Sequence, residues 1–314
     1  MSLSERDIYL YGMTLVTTSH RLESNFPERD GYCEIAESHR LPGGETGTCA
    51  VVLGNLGLTV HLDGNFLGRN TYPELVSYFD SSPVSLELMT YDPDFDGLED
   101  IVFVDQNTRT SFGRFGHFFA NKSLRRWNPA NEKAIQQAKV AGLDPFFFDE
   151  SAEAARLCHK HNVKYATVDC RIDSDVHRLS EVNILSAEFL RSNYPEQDFA
   201  SLFADYVERT AGLVIFTFGA KELWYGRNGR ALQRVTPYPV DVKSTLGAGD
   251  SFKAGVIYAM SKCMDDAMLV RFANATAAAA CMNHPIARFP PNLQEIAEIA
   301  DKSFAGAEIA EALQ

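Results

Sequence analysis

Short apolar runs alternate along the chain with longer stretches in which apolar positions return every three or four residues, a rhythm that predicts strands interleaved with helices. Asp7–Val16 reads as a strand, Gly47–Leu56 as a helix whose small residues allow close packing, and Val60–Leu62 as the start of a further strand before a helix over Pro73–Phe79. Farther on, helices over Ala130–Gln137, Glu150–His161 and Ala200–Arg209 are separated by strands at Val140–Leu143, Lys164–Val168 and Leu213–Phe218. Such a βα alternation predicts a parallel sheet flanked by helices, crossovers of one hand, and ligands at the carboxyl ends of the strands. Phe252, Gly255, Val256, Ala259, Met260 and Cys263 recur at helical intervals and predict one more helix with a single face against a core.

Two segments break the rhythm. Arg21–Leu41 is polar and strand-poor, whereas Val84–Phe119 mixes β-branched and aromatic residues with turn signals (DPDFDG, DQNT) and suggests short antiparallel strands. Two long surface loops are the competing reading.

Composition narrows the class. With 314 residues and 45% hydrophobic content, the chain can bury a large core as one α/β domain or a domain with a small appendage, and a single domain over residues 1–314 is expected. A formal charge of −13 with no Lys/Arg-rich block argues against nucleic-acid or anionic-membrane partners, so any bound phosphate must be attracted by a metal ion and local N–H groups. Six scattered cysteines without CxxC spacing suit buried thiols in a reducing cytoplasm. The polar start MSLSERD, and the lack of any apolar run of about 18 residues, support neither export nor membrane insertion.

The most telling stretch is STLGAGDSFKAG, Ser244 to Gly255. Gly247 and Gly249 allow a tight turn whose N–H groups, with Ala248 between them, converge at the start of a helix and can hold an anion. Asp250 at the rim of such a cradle suits a general base that accepts a proton from an attacking hydroxyl. The same spacing also fits a plain strand-to-helix turn in which Asp250 caps the helix. GAGDSF lacks the last glycine of GxGxxG, and no GxxxxGK[ST], GxSxG or HExxH occurs. His159 and His161 are two apart, which a helix would point to different sides, and no Cys/His cluster suggests zinc.

LGAGDSFKAGVIYAM resembles the C-terminal signature of the ribokinase-like (PfkB) carbohydrate kinases, DTxGAGDxFxxG, and LPGGETGTCAVVLGNLG resembles their N-terminal GGxxxNxAxxLxxLG segment. GNFLGRNTYPELVSYF and VIFTFGAKELWYG follow the family plan between them. The resemblance implies a three-layer α/β/α fold with a mostly parallel central sheet and a small β lid from about 17–41 and 84–119. It further implies ATP and Mg²⁺, a sugar or sugar-like acceptor, and possible homodimerisation through the lid. Asp250 takes the role of base, with Gly247, Ala248 and Gly249 as anion hole. Thr217, Gly219, Thr245 and Asn274 fall at the nucleotide positions, although Asn274 also reads as a helix-surface residue. Gly43 and Gly44 match the sugar-facing glycine pair.

Several positions depart from the pattern. The family's Asn falls on Thr48, its substrate-binding Asp, five residues after Gly12, falls on Thr17, and Asn70 stands near another expected Asp. The NxxE metal motif is degraded, leaving Asn183, Ser186 and Glu188, with Glu188 and then Asp169 as candidates for Mg²⁺. Arg109 and Arg114, in the expected lid, could reach phosphate or close over substrate. The altered acceptor side keeps a nucleoside kinase open as an alternative, and a ligand-binding protein without turnover is the reading from another class.

Overall fold

The computed structural model describes residues 6–106, 108–120 and 125–301, so the first five residues of the polar start lie outside it. Strands with apolar residues at both parities must be covered on both faces. In the first strand, β1 (Ile8–Gly12), Ile8 and Leu10 enter one core while Tyr9 and Tyr11 enter another. The strands that follow are β2 (Leu15–Leu22), β3 (Ile35–Gly43), β4 (Val60–Gly64), β5 (Leu67–Gly68), β6 (Val84–Ser85), β7 (Tyr91–Asp92), β8 (Glu99–Val104) and β9 (Arg109–Gly113). The second half adds β10 (Val140–Leu143), β11 (Lys164–Val168), β12 (Val182–Ser186), β13 (Leu213–Thr217), β14 (Leu223–Gly226) and β15 (Gln233–Val235).

Nine strands form the central sheet in the order β15-β14-β13-β12-β11-β10-β1-β4-β6. It is parallel from β6 to β13 and antiparallel at the β14–β15 edge. Helices Glu45–Asn55, Ala248–Ser261 and Asp266–Cys281 cover one face, and Asp149–Lys160 and Phe199–Glu208 the other, giving three layers. A second sheet, β3-β2-β8-β9, stands at the carboxyl ends of the central strands. Among the described residues no helix is long and apolar enough to cross a membrane.

The expected strand over Asp7–Val16 is in fact two. Met13 N donates to Asp144 Oδ2 (3.1 Å) and Thr14 N to Asn65 Oδ1 (2.8 Å), so the backbone leaves the central ladder there and β2 starts in the other sheet. Arg21–Leu41 is not strand-poor, because β3 runs antiparallel to β2 from Ile35 to Gly43. Its first residues face solvent at both parities, which hides the alternation that marks a strand. Only part of Val84–Phe119 enters the small sheet, and not all of it is antiparallel: β6 joins the central sheet beside β4, β7 pairs with β5, β8 lies parallel to β2, and Phe115–Ala120 is helical.

Helix boundaries shift by a residue or two, as where Asn131 Oδ1 accepts from Ala134 N and starts a helix at Glu132 rather than Ala130. The Ala248–Ser261 helix is buried on every side from Ser251 to Met260, not on one face, because the helices at Glu45–Asn55 and Asp266–Cys281 enclose it. Cys263 lies beyond its end and is exposed.

Candidate active site

The carboxyl ends of β10, β11, β12 and β13 open into a cleft of roughly 1240 Å³, and a smaller cavity of about 380 Å³ lies beneath the β3-β2-β8-β9 sheet. Glu45, Arg109, Phe119, Phe146 and Asp250 line both cavities. Asp250 therefore stands in the wall between two spaces. It lies in the first turn of the Ala248–Ser261 helix, whose N-cap position is taken by Gly247.

The turn before that helix is tight because Gly247 holds φ at +76°, a value that only glycine adopts without strain. Ala248 N points back to Thr245 O at 3.3 Å, and Gly249 and Asp250, in the first helical turn where main-chain N–H groups lack intrahelical acceptors, line the large cleft. A Cβ built on Gly249 meets nothing within 4 Å, and its φ is ordinary. A side chain at Gly249 is thus no threat to the fold. Arg109 reaches from β9 to donate to Thr245 O (3.0 Å), tying the small sheet to this turn.

Burial raises the Asp250 carboxyl to about 7; Lys253 and Arg109 pull it down, while Asp144 and Asp169 push it up. Glu45 is raised to about 8 by burial and by the charges of Asp144 and Asp250. The two acids share one crowded, partly desolvated region. Below them Lys253 binds Asp144 Oδ1, and Asp144 Oδ2 accepts from Thr46 Oγ1 (2.7 Å) and Met13 N. Sequence reasoning missed Glu45, Asp144 and Lys253. The available signals were a lysine inside an otherwise apolar helix and an aspartate directly after the VAGL strand.

Toward the far end of the large cleft stand Thr217, Gly219 and Asn274. Asn274 is 5% exposed and its Nδ2 donates to Thr236 O (3.1 Å), so it is not a helix-surface residue. Thr245 is exposed and lines neither cavity; its main chain, not its side chain, faces Arg109 and Ala248. Asp169 and Glu188 line the cleft, where Asp169 accepts from Ser186 N (2.7 Å) and Ser186 Oγ (3.0 Å). Asn183 is turned away, bonded to His177 in the core. Thr17, Gly43, Gly44 and Thr48 all line the smaller cavity, whereas Asn70 is exposed outside it and donates to Glu99 (3.4 Å). Arg114 is exposed and lines neither space.

Two cavities meeting at an acid and a helix N-terminus is an arrangement for moving an anionic group between two ligands. A family model of the pfkB family carbohydrate kinases matches residues 6–288. The chain belongs to that family. It is accordingly a phosphotransferase with an alcohol group as acceptor. Among solved structures, the kinase resembles Arabidopsis thaliana ribokinase complexed with ribose and ATP at 16% identity and a TM-score of 0.76, covering 94% of this chain and 99% of the other. It resembles Burkholderia thailandensis nucleoside kinase in complex with inosine at 16% identity and a TM-score of 0.73, covering 95% and 97%. Thermotoga maritima ribokinase matches at 14% identity and a TM-score of 0.73, covering 94% and 99%. The kinase thus has the ribokinase-like fold. No curated protein sequence matches it.

Proposed function

We propose that the kinase transfers the γ-phosphoryl group of Mg·ATP to a hydroxyl of a sugar or sugar-like acceptor, with Asp250 as general base. The observation that carries this is the position of Asp250, whose side chain belongs to the linings of both cavities. ATP fits the larger space, its triphosphate toward the first turn of the Ala248–Ser261 helix and its base toward Asn274. The acceptor fits the smaller space under the small sheet, which would act as the lid and exclude water as a competing acceptor.

In the transfer, Asp250 takes the proton of the acceptor hydroxyl as its oxygen bonds to the γ-phosphorus and the bond to the ADP oxygen breaks. The N–H groups of Gly249 and Asp250 meet the charge spread over the phosphoryl oxygens, and Arg109 closes the lid side. A carboxyl raised to about 7 is suited to this task, because a base works best with a pKa near the operating pH. Mg²⁺, when bound, would supply positive charge at the phosphates. Asp169 and Glu188, which line the same cleft, suit it as hard oxygen donors.

A nucleoside acceptor is the second reading, favoured by Phe115, Phe119 and Phe146 in the smaller cavity, where a base could stack. Exposed Ile35, Ile101 and Phe112 on the small sheet support association of two copies through the lid.

The test is ADP release with Mg·ATP across pentoses, hexoses and nucleosides, for the wild type and for Asp250→Asn. The variant is expected to fold and bind ATP while losing about 10²- to 10⁴-fold in rate. Wild-type turnover by the variant would remove Asp250 from the mechanism.

A further inference from the structure

The helices Glu45–Asn55 and Ala248–Ser261 pack against each other, and both begin at the wall between the two cavities. Each carries an acid in its first turn, Glu45 in one and Asp250 in the other. Of the residues that line both spaces, Phe119 and Phe146 are apolar, Arg109 comes from β9, and Asp250 is the base of the reading above; Glu45 alone has no task in it. Its place is fixed by its neighbours. Gly44 before it holds φ at +79°, where a Cβ would fall 2.6 Å from Met13 O. Thr46 after it donates its N–H to Met13 O (3.0 Å) and its hydroxyl to Asp144 Oδ2 (2.7 Å).

A carboxyl in the first turn of a helix is ordinarily favoured as the anion. Here the surroundings reverse that. Burial is the largest cause that raises Glu45, followed by the charges of Asp144 and Asp250; the Lys253 charge, which pulls the other way, comes last, Lys253 being bound to Asp144. Arg109 and Asp169 act on the same junction through Asp250, one lowering it and the other raising it. An ATP phosphate arriving beside Glu45 adds negative charge and holds its proton more firmly still. Phosphoryl oxygens accept hydrogen bonds, so a carboxylate can only repel them, whereas a neutral carboxyl has one O–H to donate.

We propose that Glu45 is a second catalytic residue, a protonated acid whose O–H donates a hydrogen bond to an oxygen of the γ-phosphoryl group as that group crosses from ATP to the acceptor. It gives no proton away: the hydroxyl proton passes to Asp250, and Glu45 keeps its own. Charge building on the transferred oxygens is met by a donor already in place. The two acids divide the work, Asp250 acting as the anion and Glu45 as the neutral acid, because their surroundings set them apart. This inference rests on the kinase reading above.

The test follows kcat of the full-length enzyme from about pH 6 to about pH 9, with Mg·ATP and whichever pentose, hexose or nucleoside turns over. In the wild type kcat should fall above about 8 as Glu45 ionises, besides the acid limb set by Asp250. Glu45→Gln, which keeps a donor but cannot ionise, should lose the alkaline limb and retain the acid one. Glu45→Ala should lower kcat about 10²- to 10³-fold, the effect of removing one donor from a developing anion, with both KM values little changed. A second readout needs no turnover. Calorimetry in two buffers of different ionisation enthalpy should show Mg·ATP binding near pH 8 to take up a fraction of a proton in the wild type and distinctly less in Glu45→Gln. A wild type without an alkaline limb, a limb that persists in Glu45→Gln, equal proton uptake by the two proteins, or a Glu45→Ala with wild-type kcat would overturn the inference and leave the kinase reading standing. Failure of the wild type to turn over any acceptor would instead remove the kinase reading, and the role of Glu45 with it.

Discussion

Lys253 and Asp144 form an ion pair in which both side chains are 0% exposed, directly below the acid that faces the two cavities. Burial alone would strip the Lys253 proton, yet Asp144 outweighs it and holds the ammonium charged. Asp144 is further bonded to Thr46 and Met13, so one carboxylate joins the Ala248–Ser261 helix, the Glu45–Asn55 helix and the end of β1. A pair this enclosed is weak evidence of added stability, because desolvation offsets its attraction.

Breaking the pair is another matter. Lys253→Met should destabilise the protein by about 3–5 kcal/mol in urea unfolding, since Asp144 would be left buried and uncompensated. The double variant Lys253→Met with Asp144→Asn should recover a large part of that loss. Equal stability of the single variant and the wild type would mean that the pair is not held as described.

If Asp250 is the base, it sets the acid limb of the rate. Burial raises Asp250 to about 7 and Glu45 to about 8, and the Asp250 charge helps to push Glu45 up. A base must be ionised to act, so kcat/KM should rise with pH through about 7 and fall as it is acidified. Glu45, raised to about 8, is still protonated where Asp250 ionises, so Glu45→Gln should leave the limb in place. A limb displaced to lower pH would mean that Glu45 is charged there and acts on Asp250.

The strands β10, β11 and β13 were legible because continuous apolar runs have one ready explanation, a sheet covered on both faces. The turn at Gly247 was legible for a similar reason: its chemistry is local, written within a few consecutive residues. β3 was not, since its polar, solvent-facing start becomes a strand only by pairing with β2. Asp144 and Lys253 are 109 residues apart, and nothing in either neighbourhood names the other.

A histidine far from the cavities should govern part of the acid sensitivity of the fold. His177 is fully buried, with Nε2 against Tyr206 O (3.1 Å) and Nδ1 against Asn183 Nδ2 (2.9 Å), an arrangement assigned to the neutral ring. Burial, only partly offset by the Tyr206 carbonyl, lowers its pKa to about 4. The unfolded chain therefore takes up this proton first. The contribution is complete above the unfolded pKa of about 6.5 and is lost as pH falls from there through about 4, a change of order 3 kcal/mol. Denaturation followed from pH 7 to 4 should be less steep in pH for His177→Gln than for the wild type. Matching slopes would show that the ring is protonated in the fold.

Gly249 separates conformation from anion binding. Its backbone is ordinary helix, and a methyl group there would enter open space, so Gly249→Ala should fold and gain up to about 1 kcal/mol from helix propensity. Gly249 lines the large cleft beside Ala248 and Asp250 of the same turn. If that turn cradles the phosphoryl group, the added methyl crowds the ligand and not the protein. The expected outcome is an unchanged or raised melting temperature together with weaker stabilisation by Mg·ATP and slower ADP release. Full activity in a variant that also melts higher would mean that phosphate does not approach Gly249, and the anion hole would have to be sought elsewhere along the cleft.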